Sequence, residues 1–229
     1  MTNPITNVPY SNGPASEQIS NIRQTLLMMA SLANRNLALA MRALVERDEK
    51  LAAAVEAEDS QLDELEISID ELVINHMATH APVATDCRFM LVASKISSNL
   101  ERIADQATAI ARRSIKLNTE PLLKPLIDIP RMAQIAEGML RDSITALIDR
   151  KPELAQEIVR RDKEVDAINK QLARELLSYM LEDPTTITRA LNLTIVARCL
   201  ERVADHCKNI AEEVYYLYHA VDIRHERAP

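Results

Sequence analysis

The chain repeats itself once. Leu37, Ala43, Leu44, Leu51, Asp59, Asp63 and Met77 recur 103 residues later as Leu140, Ala146, Leu147, Leu154, Asp162, Asp166 and Met180. Further on the spacing drops to 100, and Leu100, Glu101, Arg102, Ala104, Asp105, Ile110 and Ala111 return as Leu200, Glu201, Arg202, Ala204, Asp205, Ile210 and Ala211. A period this long is a duplicated folding unit, not the short repeat of a solenoid. The two units share 229 residues, enough for one good core or two small ones. The whole chain holds two glycines. That scarcity argues against sheet-rich and α/β folds, whose tight turns and phosphate loops need positive φ. Abundant Ala, Leu, Ile, Glu and Arg favour long helices instead.

Prolines punctuate the helices, because proline blocks continuation from its N-terminal side. Pro82 in THAPVAT, Pro121, Pro125 and Pro130 in TEPLLKPLIDIP, Pro152 after DRK and Pro184 in LEDPTT mark ends and starts, and the polar run VERDEK adds a further break. Six helices are predicted, at about 16–46, 48–79, 84–117, 128–149, 151–181 and 185–219. The expected fold is all-α, with two tandem three-helix-bundle repeats related by pseudo-twofold symmetry. A tail at 1–15, expected to be disordered, precedes the first repeat at 16–118; a linker at 119–127 leads to the second at 128–221, and a second tail covers 222–229.

A formal net charge of −7 disfavours a nucleic-acid binder and direct docking on an anionic membrane. No apolar run approaches the ~20 residues that span a bilayer. The opening MTNPITNVPYSNGPA has neither a basic nor an apolar segment of a secretory signal. Three scattered cysteines, Cys87, Cys199 and Cys207, suit a reducing compartment, so a cytoplasmic protein is expected. Cys87 has no visible base partner, and neither a phosphate-cradling glycine loop nor a G-x-S-x-G elbow occurs. His76 and His80 stand at i, i+4 near a helix end and read as cap-region residues, with Tyr179 and Asp183 at the matching places. Cys199 and Cys207 lie two turns apart and read as core thiols rather than zinc ligands. Tyr215, Tyr216 and Tyr218 read as core and rim of the last helix.

The repeated acids carry the chemistry. Glu101 and Asp105 share a helix face, as do Asp59 and Asp63 on the preceding helix. In an antiparallel hairpin, residues at one level have residue numbers with a common average. Asp63 with Glu101 and Asp59 with Asp105 both average 82, which is Pro82 in the predicted turn. Asp166 with Glu201 and Asp162 with Asp205 both average 183.5, again at the predicted turn. Each hairpin therefore places four carboxylates side by side. Like charges ~4 Å apart cost about 1 kcal/mol each pair even in water-like dielectric. A cation would offset this, and oxygen-only ligands suit Mg, Mn, Ca or Fe better than structural zinc. The opposite reading starts from the stripe Ile96, Leu100, Ile103, Ala107 and Ile110, which puts Glu101 and Asp105 on the far side of the helix. There they are ordinary solvated acids able to pair with Arg102.

ISSNLERIADQATAI and VARCLERVADHCKNIAEEVYYLYHAVDIRH resemble the two signature helices of the PhoU family of bacterial phosphate-transport and phosphate-regulon regulators. HAPVATDCRFMLVASKI and SYMLEDPTTITRALN resemble the turns before them, and the likeness covers roughly 16–225. The resemblance implies a cytoplasmic, non-enzymatic homodimer that represses the phosphate-starvation response. Its implied partners are the ATPase subunit of the phosphate ABC transporter and the regulon's sensor histidine kinase, so that it meets the membrane only through them. It also implies metal ions or clusters on the acidic motifs, here Glu101, Asp105, Glu201 and Asp205, with Asp59, Asp63, Asp162 and Asp166 across the hairpins. Phosphate itself is expected to be sensed through partners. Two departures stand out. Ala104 and Ala204 replace the glycine of many members, and the second repeat has no acid matching Asp86. The alternatives are a metal-free helical interaction protein and a di-iron carboxylate redox enzyme. The latter usually needs inward-facing E-x-x-H motifs, which this chain lacks.

Overall fold

A computed structural model of the chain describes residues 14–223. The tail expected at 1–15 lies outside the described residues except for Pro14 and Ala15, which open the first helix, and the tail expected at 222–229 lies outside from 224 onward. The described residues form α1 (Pro14–Glu46), α2 (Glu49–His80), α3 (Ala84–Asn118), α4 (Asp128–Asp149), α5 (Leu154–Glu182) and α6 (Ile187–His219), with no strand among them. A single 3₁₀ turn, Pro184–Thr186, leads into α6. The helix expected from 151 starts at Leu154, because the segment after Pro152 first makes a turn. In it Leu154 N–H donates to the Lys151 carbonyl (3.2 Å) and Ala155 N–H to that of Pro152 (3.1 Å).

The turns reach the left-handed region without glycine. Arg47, Ala81, Arg150 and Ala220 all have positive φ, between 43° and 58°, each at a strain of roughly 1 kcal/mol or more. Arg47 offsets its own by reaching the C-terminal end of α3, where its Nη2 donates to the carbonyls of Asn118 and Glu120, both at 2.7 Å. The next residue, Asp48, caps α2 by accepting from the Lys50 N–H at 2.8 Å and the Leu51 N–H at 3.4 Å.

Each repeat is a three-helix bundle. Among the helices of the described residues, α2 packs only against α1 and α3, and α5 only against α4, α6 and the 3₁₀ turn, with Lys124 of the linker paired to Glu175 of α5 at 2.5 Å. The bundles meet along an α3–α6 seam, with a smaller contact between α1 and α4. The predicted stripe of α3 (Ile96, Leu100, Ile103, Ala107 and Ile110) is fully buried. Each large member of it is worth about 1.5–3 kcal/mol by area. Ala104 and Ala204 are buried as well, so the extra methyls sit in packed core rather than on the outward acidic face. The seam helices run antiparallel, as three contacts show in order. Lys95 Nζ grips the buried Glu213 carboxylate at 3.0 and 3.2 Å, His206 Nδ1 meets Asn99 Oδ1 at 3.0 Å, and Arg113 reaches Asn192 Oδ1 at 3.4 Å.

Candidate acidic platforms

The hairpin register agrees with the level argument. Across α2 and α3, Ser94 donates to Asp70 (2.6 Å), Thr108 to Asp59 (3.0 Å) and Arg112 to Glu56 (2.9 Å). Their residue numbers average 82, 83.5 and 84, against the expected 82. Across α5 and α6, Lys208 donates to Asp162, averaging 185 against the expected 183.5. Asp59 and Asp63 therefore lie within electrostatic reach of Asp105, and Asp63 of Glu101; Asp162 and Asp166 stand likewise against Glu201.

On the first platform the acids have little to neutralise them. The Glu101 carboxyl is pushed up to about 7 by its partial burial, then by Asp105 and Glu66, with Arg102 opposing and Asp63 adding to the rise. Burial also raises Asp105, helped by Asp59 and Asp63, while a hydrogen bond from Glu101 and the charge of Arg102 pull the other way. This pattern fits carboxyls that hold on to a proton because partial burial and neighbouring acids outweigh the one opposing cation, Arg102. Buried Thr108 donates its hydroxyl to Asp59, a neutral partner.

The second platform contains its own cation. Lys208 Nζ lies 2.8 Å from Asp162 Oδ2 and 2.6 Å from Asp205 Oδ1, bridging α5 and α6. Asp162 is buried, 6% exposed, whereas its repeat mate Asp59 is half-buried. Burial raises it, Lys208 opposes, and Asp205 and Asp166 raise it further. Burial alone would lower the Lys208 ammonium; its two carboxylate partners outweigh that and hold it well above the usual lysine value. Glu201 is raised by burial, then by Asp205 and Asp166, with Arg202 opposing.

The eight acids thus sit on two platforms, yet they are spread along the faces. Among the described residues no three or more His, Cys, Asp or Glu side chains gather closely enough to hold a metal ion. Three functional neighbours escaped the sequence reading: Glu66, Thr108 and Lys208. Carrying the offset of 100 three residues past Asp105 would have paired Thr108 with Lys208, on the acidic side of each helix. The other candidates are structural. His76 is buried, meets Gln18 Oε1 at 3.1 Å and stacks on His80 with ring centroids 4.9 Å apart. Cys199 and Cys207 are buried free thiols, and Cys87 is exposed.

Comparison with known proteins agrees with this architecture. The family model of the PhoU domain matches twice, over residues 26–114 and 129–214, one copy on each bundle. The chain is 36% identical over 209 residues to the phosphate-specific transport system accessory protein PhoU homolog of Pseudomonas putida, covering 91% of this chain and 82% of that one. The homolog of the same name from Aquifex aeolicus is 37% identical over 210 residues, covering 92% and 95%. The crystal structure of PhoU from Pseudomonas aeruginosa superimposes with a TM-score of 0.88 at 34% identity, covering 90% of this chain and 99% of that chain. With the duplicated domain, the bundle pair and full-length relatives in agreement, the chain belongs to the PhoU family, whose members are regulatory or accessory proteins rather than enzymes.

Proposed function

We propose that this protein is an accessory protein of the phosphate transport system that represses the phosphate-starvation regulon when phosphate is plentiful. In this reading it is a cytoplasmic homodimer that links the transporter's ATPase subunit to the sensor histidine kinase. The observation that carries it is the pair of PhoU domains, which together span nearly the whole helical part of the chain, with relatives along nearly its full length whose names assign them to phosphate transport. The form suits an adaptor. α2 and α5 each leave a long outer face free of the other bundle, and no helix among the described residues is long and apolar enough to cross a membrane. The redox-enzyme alternative falls away with the family. The test is copurification of the chain from phosphate-replete cells. Recovery of the ATPase subunit and the kinase supports the link; recovery of neither at any phosphate level contradicts it.

Metal on the acidic faces belongs to the same reading, and the two platforms differ in fitness for it. On the first, Asp59, Asp63, Glu101 and Asp105 offer only oxygen donors and no ammonium, which fits a hard cation such as Mg, Mn or Fe. A bound ion would supply the positive charge that Glu101 otherwise obtains by keeping a proton. On the second, Asp162, Asp166, Glu201 and Asp205 share their space with Lys208, and the residues present do not fit a metal as they stand. A metal-free adaptor is the second reading, favoured by the spread of the acids along each face. Metal content of protein purified without chelator separates the two.

A further inference from the structure

We infer that the Lys208 ammonium is a built-in cation that closes the second acidic platform to metal, so that the two repeats of this chain are chemically unequal. The geometry is that of a bound ion. Nζ sits between a carboxylate of α5 and one of α6, at 2.8 Å from Asp162 Oδ2 and 2.6 Å from Asp205 Oδ1. Those are the distances of charge-assisted hydrogen bonds. Asp162 is buried, and its second oxygen, Oδ1, has no hydrogen-bond partner among the described residues. An acceptor of this kind, beside three further carboxyls, is the signature of a cation cluster in which a tethered ammonium has taken the cation's part.

The duplication supplies the control. At the matching place in the first repeat stands Thr108, whose hydroxyl donates to Asp59 at 3.0 Å. Two other positions differ between the copies: Glu58 and Glu66 of the first repeat correspond to Arg161 and Asn169 of the second, and Glu66 is one of the acids that raise Glu101. Arg161 is itself held by Asp142, and Glu58 by Arg35 at 2.6 Å. With Glu58 and Arg161 each paired off in this way, what distinguishes the quartets is Glu66 and the Thr108 hydroxyl at the first against Asn169 and the Lys208 ammonium at the second. A divalent ion entering the second platform must expel an ammonium tied to the protein at high effective concentration. Among the described residues no ammonium bridges the first platform; the cation acting on its acids is Arg102, which has Arg202 as its counterpart in the second. The inference rests on the metal reading for the contrast between the platforms, but closure of the second can be tested by itself.

The test counts Mn²⁺ bound per full-length chain by equilibrium dialysis, after chelator treatment, for wild type, Asp205→Asn, Lys208→Thr and the double variant Lys208→Thr/Asp205→Asn. Lys208→Thr is the substitution the first repeat already tolerates at that position. Wild type and Asp205→Asn are expected to bind equally, Lys208→Thr to bind one Mn²⁺ more, and the double variant to lose that gain. A folded Lys208→Thr with no gain, or a wild type that loses Mn²⁺ on Asp205→Asn, would overturn the inference. A Glu101→Gln/Asp105→Asn variant reports on the first platform separately, so failure of the metal reading there is not mistaken for failure here. Should Lys208→Thr not fold, the ¹⁵N signal of the wild-type Lys208 ammonium decides. It stays in place on adding Mg²⁺ if the platform is closed, and shifts or exchanges away if Mg²⁺ displaces the lysine.

Discussion

The two repeats share a backbone plan and differ in how each settles a cluster of carboxylates. The second uses Lys208, bridging Asp162 and Asp205 across the hairpin. The first has Thr108 there, a neutral donor to Asp59, and no ammonium between its helices among the described residues; Glu101 and its mate Glu201 are both raised, chiefly by burial. Duplication conserved the positions of the acids while their neighbours diverged. An acidic motif written twice is therefore not evidence of two equivalent sites. The two quartets differ in the residue three positions past the last acid, Thr108 in one and Lys208 in the other.

Removing the cation should have the largest effect. Lys208→Ala leaves buried Asp162 opposite Asp205 with nothing between them, and breaking a buried pair from one side costs about 3–5 kcal/mol. Partial exposure of the lysine places the expected loss at the lower end, about 3 kcal/mol. The matched change in the first repeat, Thr108→Val, removes one neutral donor to Asp59 and should cost about 1 kcal/mol. Urea unfolding of the pair gives the comparison directly, and equal losses would erase the distinction between the platforms.

The pH dependence comes next. Glu101 has a folded value of about 7 against an ordinary 4.5. Its contribution to stability is complete below about pH 4.5 and lost as pH rises through about 7. Glu101→Gln should remove that part of the decline. After discounting for solvent screening, the difference between pH 5 and pH 8 is about 1 kcal/mol. A wild type and a Gln variant with parallel stability profiles across that window would show that Glu101 is not raised in the folded protein.

The hairpin tips offer a smaller contrast. The α2–α3 turn uses Ala81 at φ 43°, whereas the α5–α6 turn uses Asp183, whose carboxylate accepts from the Thr185 N–H at 2.9 Å. Asp183→Ala should lower stability by about 1 kcal/mol through the lost cap. Ala81→Gly should raise it by about 0.5–1 kcal/mol through relief of left-handed strain. Thermal melts that move in these opposite directions support the assignment of turn types.

Much of this was legible in the chain itself. The stripe Ile96 to Ile110 and the proline breaks specified the helices, and the common averages at 82 and 183.5 anticipated the hairpin register, because both depend on local periodicity. The turns were less legible. Near-absence of glycine excludes phosphate loops, but Arg47, Ala81, Arg150 and Ala220 adopt positive φ all the same, since tertiary packing can absorb about a kcal/mol of strain at a helix end. Periodicity also could not show that Asp162 is buried while the other acids are at least partly open, for that depends on where Lys208 lays its long side chain. Pairing across a hairpin follows from side-chain reach as much as from spacing, and only the three-dimensional arrangement supplies it.

The most direct measurement of the protein's role is alkaline phosphatase output at high phosphate in a strain lacking this gene, with the gene restored on a plasmid as control. The account predicts high output in the deletion strain and low output on restoration. Output that stays low without the gene would contradict the repressor role, whatever the chemistry of the two platforms.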